Sequence, residues 1–143
     1  MTRSQWIAGG AGLLLAVALP VIGHLARRAP AGRCALDGVA IEPRYRVRVR
    51  EDGRDYEFCC VHCAELWLGR QAPRSRTVFV TDEAGGREID AASAWFIRSA
   101  VVTTPTTGNR VHAFATRADA ERHAESAHGR LLTGPDRPFA GPD

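Results

Sequence analysis

The first hydrophobic pattern in the chain is a block with no alternation. From Trp6 to Gly23 the run WIAGGAGLLLAVALPVIG carries no charge, and about 18 to 20 apolar residues are what a helix needs to cross the hydrocarbon of a bilayer. The run predicts a transmembrane anchor or uncleaved export signal over 6–26, preceded by a short tail (1–5) and followed by a linker (27–32). A cleaved signal peptide competes with this, because Ala29-Pro30-Ala31 fits the small-x-small pattern, although Arg27 and Arg28 stand between it and the apolar run.

Further on the period changes. Arg44, Arg46, Arg48 and Arg50 alternate with Tyr45, Val47 and Val49, the period of a half-buried strand with a solvated outer face. Glu51-Asp52-Gly53-Arg54 is a tight turn, since Asp-Gly tolerates the positive φ angles of a two-residue hairpin loop. A second strand follows over Asp55 to Phe58. Cys60 to about Gly69 reads as a short helix with Cys60, Ala64, Trp67 and Leu68 on one face; Gly69, the polar run to Arg76 and Pro73 end it. Thr77 to Thr81, Ala94 to Val102 and Val111 to Ala115 are predicted strands, with loops at Asp82 to Gly86 and Thr103 to Asn109. Thr116 caps a helix over Arg117 to His128, with Asp119 as its capping-box partner and Gly129 as its stop. Leu131-Leu132 allows a last short strand.

The predicted order is strand, strand, helix, strand, given twice. It implies an α+β domain over 33–132 built of two such units, placed after the membrane segment. The tail over 133–143, TGPDRPFAGPD, is rich in Pro, Gly and Asp and is expected to be disordered. A length of 143 residues, 45% hydrophobic and 24% charged, fits one globular domain with an appendage. The net charge of +3, carried without a lysine, does not mark a nucleic-acid binder, because one basic strand without stacking aromatics is a solvated face. Arg27, Arg28 and Arg33 outweigh Arg3, so the positive-inside rule alone would keep the domain in the cytoplasm. The AGRC stretch follows arginines, which argues against lipid attachment at Cys34.

The chemistry lies in FCCVHC. Cys59, Cys60, His62 and Cys63 crowd the point where a strand turns into a helix, and a helix N-terminus is expected to lower thiol pKa and make thiolate available near neutral pH. Upstream, Cys34-Ala35-Leu36-Asp37-Gly38 supplies a fourth sulfur and a carboxylate on a tight turn. A knuckle before a hairpin and a helix start after it make a cage for a tetrahedral metal, and thiolates favour Cu(I) or Zn(II) over Mg(II) or Ca(II). Two other readings stay open. The four cysteines could form two disulfides, with Cys59 and Cys60 in different bridges. Alternatively Cys60 and Cys63, a CxxC at a helix start, could be a redox dithiol.

FCCVHC resembles the strand-to-helix corner of the TRASH and YHS treble-clef modules, where an FC-x-x-x-C corner follows a CxxCG knuckle. That resemblance implies a treble-clef-like first unit with Cys34, Cys59 and Cys63 as ligands and Cys60 at a position often held by serine. Asp37 stands where the knuckle has its second cysteine. Val78 to Leu132 resembles the NosL family of nitrous-oxide-reductase accessory proteins, which handle Cu(I) on the periplasmic side of bacterial membranes. The matching stretches are Val80-Thr81-Asp82, Ile89-Asp90-Ala91 through Trp95-Phe96, Pro105 to Gly108, Ala113-Phe114 and Ala118 to Gly129. CALDG falls where that family has CxxCGM. Two departures matter: the knuckle methionine is Val39 here, and the Pro-Met loop reads Pro105-Thr106, so Met1 is the chain's single methionine.

His62 sits inside the thiol cluster as a candidate ligand. His112 lies on a strand beside the loop, where a lone histidine is more often structural. His123 and His128 read as solvated helix positions, His24 as an interface residue, and Trp67 and Trp95 as core. No proton-transfer pair, nucleophile triad or phosphate loop is present, so no enzyme is expected. The combined expectation is a membrane-tethered carrier of Cu(I), with zinc as the alternative ion. Its metal set is Cys34, Cys59, Cys60, Cys63, Asp37 and His62. Its partner is a protein that gives or receives the metal, and its soluble domain faces the periplasm from the inner membrane. A membrane-bound thiol-disulfide oxidoreductase and a structural zinc-binding interaction module are the alternatives.

Overall fold

A computed structural model of the chain describes residues 31–72, 74–101 and 108–140. The predicted anchor over 6–26, His24 and the Pro105-Thr106 loop positions lie outside the described residues. No helix among the described residues is long and apolar enough to cross a membrane.

The domain is α+β, with two helices and two antiparallel sheets among the described residues. In chain order its elements are β1 (Val47–Glu51), β2 (Arg54–Phe58), α1 (Val61–Gly69), β3 (Arg76–Thr81), β4 (Glu88–Asp90), β5 (Trp95–Arg98), β6 (Val111–Phe114), α2 (Arg117–Ser126) and β7 (Arg130–Leu132). The first sheet has the order β2-β1-β3-β4 and the second β6-β5-β7. In each, the first strand is central, the second pairs on one side and the strand after the helix on the other. The short strand β4, to which the sequence reading assigned no element, extends the first sheet through Ile89, which pairs with Val80.

The arginine alternation sets the register of the first sheet. Val47 and Val49 point inward opposite Phe58 and Tyr56 on β2 and opposite Val80 and Val78 on β3. Arg48, on the outer face, is not simply solvated: its guanidinium bonds Glu88 and Asp55 and lies over the Phe79 ring. The Asp52-Gly53 turn has positive φ at both residues, 48° and 74°, as a two-residue hairpin of this hand requires.

The second sheet is buried on both faces. Phe96, Val111, Ala113 and Leu132 join the main core with Val47, Val49, Phe58, Val80 and the four cysteines. Their neighbours Ile97 and Phe114 point the other way, against Ala120 and Ala124 of α2. Two-sided burial explains why β5 and β6 read as nearly continuous apolar runs.

Boundaries shifted where side-chain chemistry competes with propensity. Helix α2 ends at Ser126 rather than His128, because His128 adopts φ +50° and itself makes the left-handed turn expected of Gly129. Gly129 is needed for another reason: a Cβ there would meet the Arg98 carbonyl at 2.7 Å. Strand β5 stops at Arg98, short of the expected Val102. The tail expected to be disordered packs against the domain as far as Ala140. Gly134–Asp136 form a 3-10 turn, Phe139 packs edge-on against Phe96, and Arg137 donates to the carbonyls of Ala91, Ala92 and Ala94. One aromatic and one arginine supply the anchoring that the composition conceals.

Candidate metal centre

Two segments meet at the base of α1. The first is the turn around Cys34, closed by Cys34 N donating to Val39 O (2.8 Å) and Gly38 N donating to Cys34 O (2.9 Å). Gly38 sits at φ +76°, in the left-handed region that glycine tolerates best. The Ala35 amide donates to Glu57 O on β2 (2.8 Å), which fastens the turn beside the corner where β2 ends.

The second segment is that corner. Strand β2 stops at Phe58; Cys59 and Cys60 then lead into the helix, and Cys60 occupies the N-cap in extended conformation (φ −166°) without a capping side-chain bond. Cys63 is in the first helical turn. Trp67, one turn further, packs on Tyr56 and Phe58 with centroids at 4.8 and 5.4 Å, and so fixes the helix axis against β2.

One ligand atom from each of Cys34, Asp37, Cys59 and Cys63 lies within 4.8 Å of every other. The Cys59 and Cys63 sulfurs are 3.5 Å apart, and Asp37 Oδ2 is 3.4 Å from Cys63 Sγ and 4.0 Å from Cys59 Sγ. Two sulfurs bound tetrahedrally to one ion at about 2.3 Å stand about 3.8 Å apart, so the donors already have the spacing a single ion needs. The three sulfur residues are at most 4% exposed. Asp37 is exposed; its Oδ1 accepts the Val39 amide at 3.0 Å, which leaves Oδ2 toward the thiols.

Of the remaining candidates, Cys60 is fully buried with its sulfur 3.9 Å from that of Cys59, outside the four-residue group. His62 is exposed on the helix surface and also outside that group. All four cysteines are free thiols.

The expected lowering of thiol pKa is overturned. Burial first, and then the neighbouring Cys60, push the Cys59 and Cys63 thiols well above the ordinary thiol range, so desolvation outweighs the helix N-terminus. Asp37 behaves oppositely. Burial works to raise its pKa, but hydrogen bonds from the Val39 amide and from the Cys34 and Cys63 thiols bring it below the usual carboxylate value.

A second polar cluster escaped the sequence reading. His112, on the α2 side of β6 and wholly buried, has Nδ1 2.9 Å from Glu83 Oε2, and its ring lies 4.7 Å from that of His123. His123 was expected to be solvated, but it is half-buried and its Nε2 is enclosed without a hydrogen-bond partner. The available signal was the pattern VHAF: a histidine at the apolar period of a strand buried on both faces must find a polar partner.

No family model matches the chain, and no match is found among curated proteins. Among solved structures it is similar to the crystal structure of the copper chaperone NosL from Shewanella denitrificans, with a TM-score of 0.60 and 21% identity over 73% of this chain and 91% of that one. At this identity the likeness is one of fold, and the fold is NosL-like.

Proposed function

We propose that the chain is a soft-metal carrier that binds Cu(I) through Cys34, Cys59 and Cys63 and passes it to or from a partner protein, without catalysing a reaction of its own. The observation that carries this reading is the convergence of those three buried sulfurs with Asp37 inside 4.8 Å, from segments on either side of a hairpin. Cu(I) prefers thiolate and accepts two or three ligands, so three sulfurs suffice to hold it and ligand exchange suffices to release it. The fold shared with a protein described as a copper chaperone supports the same assignment. The treble-clef-like corner supplies the frame, with Cys60 behind the ligands as a further thiol.

The length of the uncharged run over Trp6 to Gly23 favours a single-pass tether at the inner membrane; the periplasmic side for the domain rests on the resemblance to the NosL family alone, against the count of arginines after the run.

A zinc-holding interaction module is favoured by one feature, the carboxylate of Asp37, which completes a four-ligand set suited to Zn(II). The thiol-oxidoreductase reading of Cys60 and Cys63 is disfavoured, since burial pushes the Cys63 thiol up, away from the lowered pKa that thiol exchange uses. Metal analysis of full-length protein purified anaerobically, followed by competition between bound metal and Cu(I) chelators, tests the proposal. One Cu(I) per chain, held about tenfold or more less tightly after Cys63→Ser, is expected. Tightly held zinc that Cu(I) does not displace would establish the structural module instead.

A further inference from the structure

The four groups around the candidate centre differ in two respects at once. Cys34, Cys59 and Cys63 are buried soft donors, whereas Asp37 is an exposed hard one. Asp37 is also not a loose surface carboxylate. Its Oδ1 is held by the Val39 amide at 3.0 Å within a turn closed by two backbone hydrogen bonds, and only Oδ2 is turned to the sulfurs, 3.4 Å from Cys63. The single solvent-facing position of the cluster is therefore occupied by the donor that binds Cu(I) most weakly.

We propose that Asp37 marks the exchange side of the centre, from which the ion leaves and at which the thiolate of an acceptor protein arrives, and that it is itself a ligand to Zn(II) alone. This rests on the metal-binding reading above and adds a direction of transfer to it. On Zn(II) the incoming sulfur forms its bond as the metal–Oδ2 bond breaks; on Cu(I), which the sulfurs hold without the carboxylate, it forms its bond on the same side as one metal–sulfur bond breaks, and the released thiolate takes up a proton. The proton of the acceptor's thiol passes to solvent, and the oxidation state of the metal does not change. Buried thiolates are then replaced in turn. The same residue separates two ions: Zn(II) takes the carboxylate as a full fourth ligand, whereas Cu(I) is held by the sulfurs without it.

The test uses the full-length chain, metal-free and then loaded anaerobically with Cu(I) or Zn(II), as wild type, Asp37→Asn and Asp37→Cys. Asparagine keeps an acceptor for the Val39 amide and replaces only the ligand oxygen, so the turn is retained; thermal melts of the metal-free proteins check this. Asp37→Asn is expected to weaken Zn(II) binding by about tenfold or more in chelator competition while Cu(I) affinity stays within about threefold. Asp37→Cys is expected to slow the release of Cu(I) to excess bicinchoninate by about tenfold or more. Release from Asp37→Cys at the wild-type rate, or equal weakening of both ions in Asp37→Asn, overturns the inference. A wild-type chain that takes up neither ion overturns the underlying metal-binding reading, and the two failures are told apart by the wild type alone.

Discussion

Asp37 Oδ2 and Cys63 Sγ lie 3.4 Å apart although 26 positions separate the two residues in the chain. The contact exists only if the Cys34 turn is docked on β2 and the helix start is formed, so it reports on the assembled site. Replacing Cys63 with serine is expected to lower Cu(I) affinity by about tenfold or more, because a buried hydroxyl is a poor donor to a soft ion. His62→Ala should leave affinity unchanged, since that side chain points to solvent. Chelator titration of both variants checks the pair; an equal loss in His62→Ala would put the centre in the wrong place.

Metal uptake should be strongly pH-dependent. With Cys59 and Cys63 held protonated by burial, an incoming ion must displace their protons. Apparent affinity therefore rises with pH, by about tenfold per unit for each proton released. Calorimetry at one pH in buffers of different ionisation enthalpy counts those protons directly. About two or more per ion are expected near neutrality; none would mean that the thiolates are already formed.

The Glu83–His112 pair joins the segment after β3 to β6 with side-chain exposures of 3% and 0%. Truncating Glu83 removes its buried bonds with His112 Nδ1 and the Ala113 amide together, which costs about 3 kcal/mol. Glu83→Ala should thus destabilise the domain by that amount in chemical denaturation, with m unchanged. A loss below about 0.5 kcal/mol would assign the pair no structural role.

His123 supplies a stability profile with a definite sign. Burial, and then the adjacent His112, lower its pKa below the ordinary 6.5. Between that lowered value and 6.5 the unfolded chain binds more protons than the folded one, so stability falls as pH drops through this window and recovers above it. His123→Phe keeps a ring against Phe114 and His112 while removing the titration. Melting midpoints followed from neutral pH downward should be flatter in this variant than in the wild type.

What could be read beforehand depended on local signals. The Asp52-Gly53 turn, the alternating valines of β1 and the Thr116 cap are each set within a few residues, and all appear in the structure. The meeting of the Cys34–Asp37 turn with the corner cysteines was expected from the knuckle-and-corner pattern, but the Ala35–Glu57 backbone bond that fastens it is one no periodicity displays. Desolvation of the thiols is likewise collective, because it arises from Val47, Phe58, Val80 and Phe96 packed in the same core. Strand β4, with three residues, is too short to carry a pattern. The anchoring of Phe139 on Phe96 joins residues from opposite ends of the second sheet's chain segment and leaves no trace in composition.

The two strand-to-helix corners are built alike, Phe58-Cys59-Cys60 before α1 and Phe114-Ala115-Thr116 before α2. Thr116 accepts the Asp119 amide at 3.1 Å, while Cys60 makes no such bond. A cap of this kind contributes about 1 kcal/mol, and the thiol-bearing corner forgoes it. Its first helical turn is held by packing instead: Cys60, Val61, Cys63 and Ala64 are at most 4% exposed, so the corner that gathers the sulfurs is fixed by the core and not by its own cap.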